Sequence, residues 1–108
     1  GWIPYFIERA DDTWKTHQWA QGEKRIPNPP SHYYKKHVYS CFFKDTVGID
    51  LLDRIGEDNV LFETDYPHQD GTFPNTLAIA EDLFGHLEQE TIDKIARNNA
   101  IKLFGLTI

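Results

Sequence analysis

Two stretches of this 108-residue chain have the composition of β-strands, HVYSCFF at 37–43 and VLFET at 60–64. Both are short and rich in β-branched and aromatic residues. Between them, IDLLDRI at 49–55 has helical character, with Gly56 as its stop. Strand, helix and strand within residues 37–64 form a βαβ unit, whose strands run parallel. That count constrains the fold severely. Two parallel strands cannot bury themselves, because a stable sheet needs three or more strands or good helical cover. The chain therefore reads as α/β, and as a segment of a larger α/β protein. The alternative is a small helical domain carrying a minor two-stranded element.

The remaining segments are mostly helical. Residues 3–19 predict an amphipathic helix with Ile3, Phe6, Ile7, Ala10 and Trp14 on one face. Asp11 and Lys15 form a favourable i,i+4 pair on the other. Gly22 ends this region, and residues 22–31 predict a loop because Pro27, Pro29 and Pro30 disfavour helix and strand. Helices are expected at 75–84, with Leu77, Ala80, Leu83 and Phe84 inward, and at about 89–97 and 99–104. Asn98 is the expected cap of the last helix and Gly105 its stop. The length suits a single unit, residues 1–108.

Composition excludes several function classes. Hydrophobic residues at 40% and charged residues at 26% are ordinary for a globular chain, so global disorder is not expected. The net charge of −6 opposes nucleic-acid binding. Lys35, Lys36 and His37 make too small a basic cluster to change that, and Tyr33, Tyr34 and Tyr39 around them read as packing and loop cover. No apolar run approaches the roughly 18 residues of a membrane span. Charge from Glu8 onward does not suit a signal peptide. Cys41, the single cysteine, allows no internal disulfide and suggests a reducing, cytoplasmic setting. It is expected to be a buried strand residue.

The stretch with chemical content is FETDYPHQDGTFP at 62–74. Asp65 falls just past the carboxyl end of the second strand, the end at which active sites of barrels and open α/β sheets lie. Pro67 fixes the turn, His68 and Asp70 follow on the loop, and Gly71 frees the chain before the next helix. A carboxylate so placed can ligate a divalent metal or accept a proton from metal-bound water. It can equally be a turn-forming Asp beside a proline. His68 either lines a pocket or faces solvent, and Asp70 reads more simply as an Asx-turn residue. Trp2 either walls a pocket or packs at a helix start. Glu8 and Arg9 read as a structural ion pair, and His17 and His86 as exposed. One Asp is not a metal site, since zinc takes three or four protein ligands.

Four segments, in order and at matching spacing, resemble the C-terminal part of the amidohydrolase-related hydrolases and decarboxylases of the aminocarboxymuconate-semialdehyde decarboxylase-like family. They are GWIPYFIERADDTW at 1–14, IGEDNVLFETDYPH at 55–68, DGTFPNT at 70–76 and KIARNNAIKLFGL at 94–106. The resemblance implies a (β/α)8 TIM barrel, of which this chain would hold about the last two strands with mostly helical surroundings. It implies that Asp65 holds a divalent metal, zinc by expectation, and handles a proton. His68 and Trp2 become substrate-side residues. The family's histidine pair on the first strand and its histidine after the fifth strand have no match here.

Two functions are expected. The first is a segment of a metal-dependent hydrolase or non-oxidative decarboxylase acting on small carboxylated or carbonyl substrates, incomplete as a catalyst alone. The second is a non-catalytic association module derived from the barrel's end, with open strand edges that favour a homo-oligomer or pairing with the rest of a barrel. A third reading, a helical domain unrelated to barrels, requires that 37–43 and 60–64 not be adjacent parallel strands.

Overall fold

The structure, a computed structural model, describes residues 1–108 apart from the Lys24 side chain. It divides into two compact units, residues 2–38 and residues 39–108 with Gly1.

In the first unit, α1 spans Ile3–Thr16. Pro4 lies in its first turn, where a missing N–H costs nothing. Ile3 is buried and Ile7, Ala10 and Trp14 are half-buried, as the helical spacing requires, but Phe6 is exposed. Thr16 ends the helix earlier than expected, because His17 leaves helical geometry. A 3-10 segment, Gln18–Lys24, comes next and is broken at Gly22. Asp11 accepts a hydrogen bond from the Ser31 backbone N–H at 2.9 Å, joining the start of α2 (Pro30–His37) to α1. Arg9 pairs with Asp12 at 2.6 Å rather than with Glu8.

Helix α2 corrects the sequence reading twice. Pro30 opens it, since proline is well suited to the first helical position. The helix then takes His37, so the first strand is shorter than the composition suggests. Lys35, Lys36 and His37 fall in its last turn, where cations complement the helix dipole.

In the second unit, β1 (Ser40–Phe42) and β2 (Val60–Phe62) pair in parallel, with Ser40, Cys41 and Phe42 opposite Val60, Leu61 and Phe62. The Glu63 N–H donates to the Phe42 carbonyl at 2.9 Å and extends the ladder. This pairing removes the reading as a helical domain without adjacent parallel strands. The crossover contains α3 (Thr46–Asp50) and α4 (Leu52–Ile55), and Gly56 stops α4 as expected. Helix α5 spans Thr76–Phe84. The core comprises Phe42, Ile49, Leu52, Ile55, Val60, Leu61, Leu83, Phe84 and Ile95. Phe62 and Phe84 meet edge to face with centroids 5.3 Å apart. Leu77 departs from its expected inward position and is 86% exposed. Cys41 departs likewise. Successive side chains on a strand point to opposite faces, and Phe42 takes the covered one, leaving Cys41 exposed.

The C-terminal run is α6 (Gln89–Asp93), a π turn (Lys94–Asn98) and α7 (Asn99–Phe104). Asn98 is not a cap: its backbone is helical and its side chain makes no capping bond. Gly105, in the left-handed region, does end α7.

Candidate functional site at the carboxyl ends of the two strands

The site is assembled from the residues just past the ends of β1 and β2. Val60 and Leu61 are buried and Phe62 is half-buried, so β2 cannot slip along its neighbour without exposing apolar surface. Three residues later the chain turns sharply. Asp65 has a φ of 54°, in the left-handed region that Asp and Asn enter more readily than other non-glycine residues. The Tyr66–Pro67 and Phe73–Pro74 peptide bonds are cis.

Beyond Asp65 the loop closes on itself. The His68 N–H donates to the Asp65 carbonyl at 2.7 Å, and the Gly71 N–H to the His68 carbonyl at 3.0 Å. Thr72, almost fully buried, fastens the base. Its N–H and its hydroxyl both donate to the Thr64 carbonyl, at 2.9 and 3.2 Å, and its Oγ1 lies 2.9 Å from the Thr76 hydroxyl at the start of α5. Gly71 is required by close approach rather than by backbone angle. A Cβ there would lie 2.9 Å from the His68 carbonyl oxygen, 3.0 Å from that of Asp65 and 3.1 Å from that of Thr64.

This geometry brings two of the expected site residues together. Asp65 Oδ2 lies 3.0 Å from His68 Nδ1, with the side chains 46% and 69% exposed respectively. The pair can share a proton, and the exposed oxygen and nitrogen edges remain open to a ligand. Asp70 is on the same loop but is held elsewhere: Lys44 Nζ donates to its carbonyl at 2.9 Å and lies 3.7 Å from Oδ1. Trp2 belongs to the other unit, where it is 69% exposed and meets Phe6 edge to face at 5.5 Å.

Lys44 and Thr72 were not legible as site residues. Lys44 comes after β1 as Asp65 comes after β2, so the carboxyl-end rule that singles out Asp65 also covers it. Tyr66 and Phe73, both exposed, stack edge to face at 5.3 Å beside the loop. Among the described residues, no three His, Cys, Asp or Glu side chains converge to hold a metal. Asp65 and His68 by themselves fall short of the three or four protein ligands that zinc takes.

Comparison with known proteins supplies the family and the fold. Residues 1–106 match the family model described as Amidohydrolase. The fold resembles 5-carboxyvanillate decarboxylase LigW from Sphingomonas paucimobilis, with a TM-score of 0.79 and 17% identity over 98% of this chain and 31% of that one. It also resembles the amidohydrolase map2389c from Mycobacterium avium subsp. paratuberculosis K-10, with a TM-score of 0.71 and 27% identity over 96% of this chain and 26% of that one. The chain thus spans less than a third of either structure. No curated protein matches it. Among the described residues, no helix is long and apolar enough to cross a membrane. A βαβ unit with an aspartate turn beyond its second strand, in a chain whose residues 1–106 fit the family model, places this chain in the amidohydrolase family.

Proposed function

We propose that residues 1–108 are the C-terminal segment of a metal-dependent barrel enzyme of the aminocarboxymuconate-semialdehyde decarboxylase-like branch. The whole enzyme would be a hydrolase or a non-oxidative decarboxylase acting on small carboxylated or carbonyl substrates. The observation that carries this reading is the position of Asp65, just beyond the carboxyl end of β2 and 3.0 Å from His68. Asp65 would be a metal ligand and proton acceptor, with His68 and Trp2 on the substrate side. Amidohydrolases generally use a divalent metal, and zinc is the ion we assign. Such an ion supplies Lewis-acid activation of a carbonyl or of water. Its remaining ligands would come from barrel strands outside residues 1–108, in the same polypeptide or a partner. A small molecule rather than nucleic acid is the substrate, in keeping with the net charge of −6, and a cytoplasmic setting suits the lone Cys41.

The test is metal content per chain, measured by elemental mass spectrometry on protein purified without chelator, for wild type and Asp65→Asn. About one ion per chain, lost in the variant, would mean that a complete site forms with Asp65 in it. An ion retained in Asp65→Asn would remove Asp65 as a ligand. An ion-free wild-type chain would mean that the other ligands must be added before the site closes.

The two-stranded sheet also favours a second reading, a non-catalytic association module that pairs through β1 or β2. Gel filtration separates the two: a clean, stable monomer would count against the module.

A further inference from the structure

We infer that Lys44 is a positioning residue for Asp65, clamping the 65–71 loop across the carboxyl ends of the two strands. The inference rests on the reading of Asp65 as the functional carboxylate, but its observations are independent of any metal.

Lys44 leaves β1 two residues after Phe42, and its ammonium spans to the middle of the neighbouring loop. It donates to the Asp70 carbonyl at 2.9 Å, lies 3.7 Å from the Asp70 carboxylate and sits 4.7 Å from the centroid of the Phe43 ring. An exposed ion pair alone would be worth little. This contact differs because its closest bond goes to backbone. It fixes the peptide that precedes Gly71, the residue packed against the carbonyls of Thr64, Asp65 and His68. An outward swing of that peptide opens the bond from the Gly71 N–H to the His68 carbonyl, and so loosens the residue whose own N–H is bonded to the Asp65 carbonyl. The last of those bonds closes the turn in which Asp65 is left-handed and its carboxylate lies 3.0 Å from His68. The base of the loop is secured separately by Thr72. Lys44 therefore sets the orientation of the aspartate without being needed to form the strands.

Residue-resolved amide hydrogen exchange on the metal-free chain tests this, comparing wild type, Lys44→Met and Lys44→Arg. Methionine keeps the apolar stem and removes the donors. The expected result in Lys44→Met is exchange about tenfold faster at His68 and Gly71, with Glu63 and Thr72 unchanged, a signature of local rather than global opening. Lys44→Arg, which retains charge and donors, should restore most of the protection. Unchanged exchange at His68 and Gly71 in Lys44→Met would overturn the inference. So would equal acceleration at Glu63 and Thr72, which would make Lys44 a general stabiliser. Neither outcome depends on whether Asp65 binds metal, which the Asp65→Asn measurement decides separately.

Discussion

The side-chain amide of Asn99 donates to the carbonyl of Val60, and to that of Glu57, both at 2.7 Å. Asn99 is almost fully buried and sits at the junction of the π turn and α7. It thereby joins the closing helix to the entry of β2, the strand that delivers Asp65. Removing it leaves two carbonyls without their partner in a place water reaches poorly. Asn99→Ala should cost about 2–4 kcal/mol, and Asn99→Asp at least as much, because a carboxylate would face the carbonyls without a proton to donate. Urea unfolding of the three proteins measures this. A loss under about 0.5 kcal/mol in Asn99→Ala would show that the two bonds contribute no net stability.

Gly71→Ala should destabilise the chain and disturb the candidate site together. The new methyl group would meet three backbone oxygens at 2.9–3.1 Å. Backbone cannot move aside as a flexible side chain can, so a cost of about 1–3 kcal/mol is expected. Thermal unfolding reads the stability. Loss of amide protection at His68 reads the loop, and a variant with wild-type protection there would contradict the packing described.

Acid should weaken the chain through Glu57. This carboxylate accepts from the Lys94 ammonium and, at 2.8 Å, from the Thr91 hydroxyl. Those two hydrogen bonds, with the Lys94 charge, hold its pKa below the ordinary 4.5 despite slight burial. A carboxyl with a lowered folded pKa stabilises above its unfolded value, and that stabilisation is lost as pH falls through the folded one. The loss therefore begins below about 4.5. Lys94 works in the opposite sense. Its hydrogen bond to Glu57 is the main cause of a raised pKa, with Asp58 also contributing. Its stabilisation is complete below 10.5 and is lost only as pH rises well beyond that. Between these limits both contributions are constant. Urea midpoints measured from about pH 3 to 7 should show Glu57→Gln approaching wild type as pH falls. A difference independent of pH would show that Glu57 does not titrate with folding.

Cys41 should be a slow nucleophile although the residue is exposed. Partial burial of the sulfur, then the charge of Glu63 and a hydrogen bond to it, raise the thiol pKa. The thiolate is the reactive form, so iodoacetamide near pH 7.5 should alkylate Cys41 more slowly than a small free thiol. Glu63→Gln should speed the reaction. Equal rates in the two proteins would remove Glu63 as the cause.

By itself, the sequence determined the α/β character, the two strand positions to within a few residues, the stops at Gly56 and Gly105, and the placing of Asp65 past a strand end. All of these come from local chemistry: β-branched and aromatic runs, glycines at helix ends, and an acidic turn after an apolar segment. Only the tertiary structure decided the rest. It assigned Pro30 to the start of a helix, because proline's meaning depends on whether a helix begins or continues there. It exposed Leu77 and Cys41, because periodicity defines a face without saying what covers it. It paired Asp65 with His68 and Lys44 with Asp70, and it seated Asn99 beneath Val60. The partners in the last two contacts lie 26 and 39 residues apart, and contacts at that distance arise only when strands pair and helices pack.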